Sequence, residues 1–155
     1  MKGNFILTGA PGSGKTAILD EMADRGITCY PEIARIVIKE QMESGENTLP
    51  YTDMMGFTKL VVKRIQQHID EADPNQLNLF DRGLPDSVGY LIYDNLDIPE
   101  VLDTATKNAN YEKHVFITKV WKEIYKTDTE RVETLDQAMA IEGCLLYTSP
   151  SPRDA

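Results

Sequence analysis

The sequence is poor in the features that mark secreted, membrane-spanning and polyanion-binding chains. Its 155 residues hold two cysteines, Cys29 and Cys144, so no disulfide framework exists and a reducing, cytoplasmic setting is the expectation. Cys29 reads as a small packed apolar residue. No apolar run approaches the ~18 residues a membrane helix needs. Met1 and Lys2 lead straight into a β-prone segment, so neither a membrane partner nor a leader is expected. Basic residues are few and scattered. Sixteen Lys and Arg against 25 Asp and Glu give a net charge of -9 without a basic run, which argues against a nucleic-acid partner. The acid lies along helix faces, Glu40 to Glu46 and Asp70 to Asp73, as a solvated surface. His68 and His114 stand apart, so no zinc-type ligand set can be assembled. What remains, 41% hydrophobic, is ordinary for one globular domain.

Against that background one octapeptide stands out. Gly9-Ala-Pro-Gly-Ser-Gly-Lys-Thr16 is a complete GxxxxGK[ST] phosphate-binding loop, set between the β-prone run Phe5 to Thr8 and an amphipathic pattern from Thr16 to Asp24 with Ile18, Leu19 and Met22 at helical spacing. A triphosphate is held only where many main-chain N–H groups converge, and side chains would block that approach. Gly9, Gly12, Ser13 and Gly14 supply the cradle, and the following helix adds its positive end. Lys15 is placed for the β- and γ-phosphates and the Thr16 hydroxyl for Mg²⁺. The expected ligand is therefore ATP with Mg²⁺, GTP not being distinguished.

Leu77 to Asp81 is an apolar strand ending in an acid. At the C-terminal edge of a parallel sheet such a carboxylate sits beside the loop, where it can hold Mg²⁺ or take a proton from a phosphoryl acceptor. The alternative is an Asp that caps the turn before Gly83. Water-activating ATPases commonly place Glu after this Asp, whereas Arg82 follows here and suits an anionic acceptor. Glu32 and Arg35, three apart at the start of a helix, share one face; they read as acceptor-binding groups or as a surface ion pair. Trp121, Tyr125, Asp128 and Arg131 fall in a polar stretch after the run Val115 to Ile117. That stretch reads as a lid whose Arg131 closes on the transferring phosphoryl group, or as a solvated Arg with a packed Trp.

Periodicity places helices over residues 32–44, 52–72, 85–96, 99–108 and 134–141, and strands over 5–8, 27–30, 77–81 and 114–118. Alternating strands and helices predict a three-layer α/β/α fold with a parallel sheet, and the resemblance of the loop to those of kinase-type P-loop NTPases implies the order 2-3-1-4. A fifth strand is expected to be missing from this chain. The run Cys144 to Asp154 equals the translation of a transposase mosaic end and adjoining sequencing adapter, eleven residues in order. The expected division is thus a truncated domain over 1–143 and a non-native, disordered tail over 144–155.

The loop, Pro31-Glu32-Ile33-Ala34-Arg35, Phe80-Asp81-Arg82-Gly83-Leu84-Pro85-Asp86, Trp121-Lys122-Glu123-Ile124-Tyr125 and Arg131-Val132-Glu133-Thr134 together resemble a bacterial family labelled AAA-type ATPase. That family is similar to the ribosylnicotinamide kinase domain of the NAD-biosynthesis regulator NadR. The resemblance runs from Phe5 to about Gly143 and implies a small-molecule phosphoryl acceptor of the nucleoside or riboside class. Two readings stand beside a kinase: a nucleotide-hydrolysing switch that recruits a partner, and a binding module with lost chemistry. An ordinary GTPase is disfavoured, because no Asn-Lys-x-Asp follows the fourth strand and Leu84 stands where a Gly would follow Asp81.

Overall fold

The computed structural model describes residues 1–123, 125 and 133–148. Four strands, β1 (Gly3–Gly9), β2 (Thr28–Tyr30), β3 (Leu77–Asp81) and β4 (Tyr111–Thr118), pair in parallel in the order β2-β3-β1-β4. Strands buried on both faces need nearly continuous apolar runs, and the central pair has them in Phe5-Ile6-Leu7 and Leu79-Phe80. The register sets Leu7 opposite Asp81 on one side of β1 and Gly9 opposite Thr118 on the other. The sheet is that of a P-loop NTPase.

Helix α1 (Lys15–Asp24) covers one face, where Leu19 and Met22 meet Phe5, Leu7 and Leu79. The other face carries α2 (Ile33–Ser44), α3 (Met54–Glu71), α4 (Leu84–Tyr93) and α5 (Glu100–Asn108). Val37, Phe57, Val61, Ile65, Ile69, Leu84, Leu91 and Leu102 close there around Phe80, whose ring stacks on Tyr30 at 4.6 Å. The side chains of Leu79 and Phe80 point to opposite faces, as a pleated strand requires. Local sequence ends the helices: Asp53 accepts from Gly56 N–H at 2.9 Å ahead of α3, and Gly45 closes α2 in the left-handed region at φ 72°.

Some expectations are corrected. Ile18, counted with the apolar spacing of an amphipathic helix, is 37% exposed, because the sheet side of α1 is taken by Leu19 and Met22. The run from Cys144, expected to be disordered, continues α6 (Leu135–Thr148) as far as Thr148. Leu145 is 2% exposed, since Ala138, Ile141 and Leu145 fall on one stripe and α6 packs on α4. Thr134 and Gln137 open α6 with reciprocal side-chain bonds of 2.8 and 3.2 Å. Trp121 is 61% exposed, so it is not the packed residue of the alternative reading. Among the described residues no helix is long and apolar enough to cross a membrane.

Candidate functional site

The C-terminal ends of β1 and β3 lie side by side, because the two strands pair directly. Each delivers one charged group to the same place. β1 runs into the phosphate loop and Lys15, the first residue of α1; β3 ends on Asp81 and turns sharply at Arg82. Gly14, at φ 92°, allows the loop to enter α1. Among the described residues the N–H groups of Gly12, Gly14, Lys15 and Thr16 donate to no protein acceptor, while Ser13 N–H reaches the Ala10 carbonyl at 3.3 Å. Four main-chain donors at a helix start thus stand available to an anion.

Lys15 is 8% exposed and its ammonium donates to the carbonyls of Gly9 and Ala10 at 3.0 and 3.3 Å. Burial lowers it to about pKa 8, with Arg82 pushing the same way and Asp81, Glu32 and Asp86 opposing. Asp81 is raised to about 6, first by burial and then by Glu32, with Lys15 and Arg82 holding it back. Its Oδ1 is buried and accepts no hydrogen bond among the described residues.

Arg82 takes φ 63°, a left-handed conformation that costs a non-glycine residue about 1–2 kcal/mol. Its N–H donates to the Leu7 carbonyl at 3.0 Å, which ties the turn to β1. The guanidinium is buried over the Tyr90 ring, 5.1 Å from the centroid. Its Nε lies 3.3 Å from Glu32 and its Nη1 3.9 Å from Asp86, yet neither nitrogen makes a hydrogen bond of good geometry. Strain and unmet donors at one residue are what a functional turn displays.

Glu32, the residue before α2, therefore faces Arg82 and not Arg35 alone. Arg35 lies 4.0 Å from its other oxygen, with a largely exposed side chain. Glu32 thus lies within ion-pair distance of both arginines, one buried and one largely exposed. Thr16 is exposed on the first turn of α1. Arg131 and Asp128 lie outside the described residues. Of the stretch read as a lid, residues 121–123 and 125 are described, and the Tyr125 hydroxyl donates to the Glu133 carbonyl at 2.6 Å.

Sequence reasoning missed Asp86. This carboxylate is buried at the first turn of α4, where it accepts from Thr8 Oγ1 and from Gly83 N–H, the latter at 2.7 Å. Burial raises its pKa. Its signal was an acid three residues into a helix whose N-cap is Gly83, half of a capping box. Thr8 and Thr118, which flank the loop from below, carried no signal at all. A surface hollow of about 470 Å³ lined by Gln66, Asp70, Asn108 and Asn110 lies at the opposite end of the strands and takes no part.

The residues suit magnesium and a triphosphate: an unpartnered buried carboxylate oxygen, a hydroxyl, an ammonium and undonated amides stand at one sheet edge. A family model described as an AAA domain matches residues 4–148. No curated protein matches the chain.

Proposed function

Because the chain belongs to the AAA domain family and is a nucleotide-binding P-loop protein, we propose that it is an ATP-dependent phosphotransferase acting on a small molecule of the nucleoside or riboside class. The observation that carries this reading is the pair at the end of β3. Asp81 presents an unpartnered buried oxygen, and the next side chain is a buried guanidinium where a water-activating ATPase would place a carboxylate. The direct pairing of β1 with β3 supports a kinase-type sheet.

In this reading Lys15 leaves the carbonyls of Gly9 and Ala10 for phosphate oxygens, and the amides of Gly12, Gly14, Lys15 and Thr16 close on the β-phosphate. Thr16 and Asp81 would hold Mg²⁺, which when bound neutralises phosphate charge. Asp81 or Glu32 takes the acceptor's proton, and Arg82, Glu32 and Arg35 orient the acceptor. Arg131 is assigned to the transferring group from its sequence position alone. Catalysis is then mostly positioning and charge stabilisation. A cytoplasmic setting accords with two cysteines that form no disulfide among the described residues and with a soluble small acceptor.

The alternative is a nucleotide-hydrolysing switch, which the AAA description of the family favours. Following labelled γ-phosphate from ATP over nucleosides and ribosides separates the two. Label appearing on one acceptor supports the kinase; label released only as inorganic phosphate refutes it.

A further inference from the structure

Beneath the phosphate loop the end of β4 meets the end of β1, Thr118 pairing with Gly9. Thr118 Oγ1 lies 2.6 Å from Ser13 Oγ and 3.2 Å from the Thr8 carbonyl, while Ser13 Oγ is 2.7 Å from the Ala10 carbonyl. The packing is close. A Cβ on Gly9 would collide with Thr118 Oγ1 and stand 2.8 Å from Ser13 Oγ. One pair of hydroxyls therefore joins the strand that enters the loop, the loop itself and the neighbouring strand.

These two hydroxyls own two protons and face three contacts, so one contact is always without a proton. Two arrangements avoid opposing lone pairs between the hydroxyls. In one, Ser13 donates to Thr118 and Thr118 to the Thr8 carbonyl. In the other, Thr118 donates to Ser13 and Ser13 to the Ala10 carbonyl. The Ala10 carbonyl also receives the Lys15 ammonium at 3.3 Å, which favours the first arrangement. Once Lys15 turns to a phosphate, the Ala10 carbonyl loses that donor and the second arrangement gains.

We propose that Thr118 is a positioning residue for nucleotide binding, acting through Ser13: the hydroxyl pair holds the loop in its receptive shape, and its bonding order follows the position of Lys15. This rests on the nucleotide-binding reading and is independent of whether the chain transfers or hydrolyses phosphate. The test is calorimetric titration of the full chain with ATP and Mg²⁺, in wild type and in Thr118→Val, Thr118→Ser, Ser13→Ala and the Thr118→Val/Ser13→Ala double variant. Loss of one charge-responsive hydrogen bond should weaken binding by about tenfold in Thr118→Val and in Ser13→Ala, with Thr118→Ser within about threefold of wild type. The double variant should be no weaker than either single one, because both changes break the same relay. A merely structural Thr118 would lower the melting temperature of the nucleotide-free protein and leave affinity unmoved.

Wild-type affinity in Thr118→Val, or losses that simply add in the double variant, overturns the inference. If Thr118→Val does not fold, Ser13→Ala decides, and wild-type affinity there overturns it equally. A wild-type chain that binds no nucleotide brings down the nucleotide reading and this inference with it, and is told apart by its own titration.

Discussion

Lys15 carries its charge into a place water has left, and the folded chain bears the cost until a phosphate arrives. Its pKa falls from 10.5 to about 8 on folding, chiefly through burial. Below about pH 8 both states hold the proton and the cost is complete; between the two values the unfolded chain binds more protons, so stability rises with pH. Nucleotide-free protein should therefore show urea midpoints that climb from about pH 8 to 9.5, and the Lys15→Met variant should lose that climb. A slope unchanged in Lys15→Met would show that the ammonium is solvated. Asp81 is the mirror case. Its folded pKa of about 6 exceeds the ordinary 3.8, so its ionised form costs stability that is absent at low pH and complete above about pH 6. Without magnesium, Asp81→Asn should raise stability at pH 7 by about 1–2 kcal/mol and flatten the profile between pH 4 and 6. A destabilised Asp81→Asn would mean that the carboxylate is structural.

The loop makes its demands as an element and not as separate residues. Gly9, at φ 146°, has no room for a Cβ against Thr118 and Ser13, whereas Gly14, at φ 92°, faces open space. Gly9→Ala should cost about 2–4 kcal/mol in denaturant melts and abolish nucleotide binding. Gly14→Ala should cost about 1–2 kcal/mol, from backbone strain alone. Equal losses in the two variants would show that the contact with β4 is soft. This contrast also marks what the sequence made legible. Lys15 and the glycines could be read because the backbone conformation and the charge they serve are local. The parallel sheet could be read because alternating β and α segments admit few topologies, and its order because the loop resembles that of kinase-type P-loop folds. Thr8 and Thr118 could not, since their contacts arise only once the strands pair in a particular register, and Asp86 offered no more than half of a capping box. Glu32 was read only against Arg35, because its other partner, Arg82, lies fifty residues on, beyond any helical spacing. The end of α6 was misjudged for another reason: Cys144 to Asp154 was set aside for its likeness to a translated adapter, while Leu145 continues the stripe of Ala138 and Ile141.

At the scale of the whole molecule, a chain of net charge -9 attracts a polyanion only where its own acid is locally overruled. Lys15, the amides of Gly12, Gly14, Lys15 and Thr16 and the start of α1 supply this at the end of β1. At the end of β3, Glu32, Asp81 and Asp86 oppose a single buried Arg82. Of these acids Asp86 is engaged by Thr8 and Gly83, while Asp81 keeps a buried oxygen without a hydrogen-bond partner among the described residues, a ligand suited to a divalent cation between protein and phosphate. Magnesium should therefore be needed for tight binding and not only for turnover. The measurement that tests the account most directly is a calorimetric titration of the full chain with ATP, with and without Mg²⁺, in wild type and Lys15→Ala. The account predicts saturable heat for wild type with magnesium and binding at least about a hundredfold weaker in Lys15→Ala. Absence of heat in wild type, or equal affinity in the variant, would contradict it.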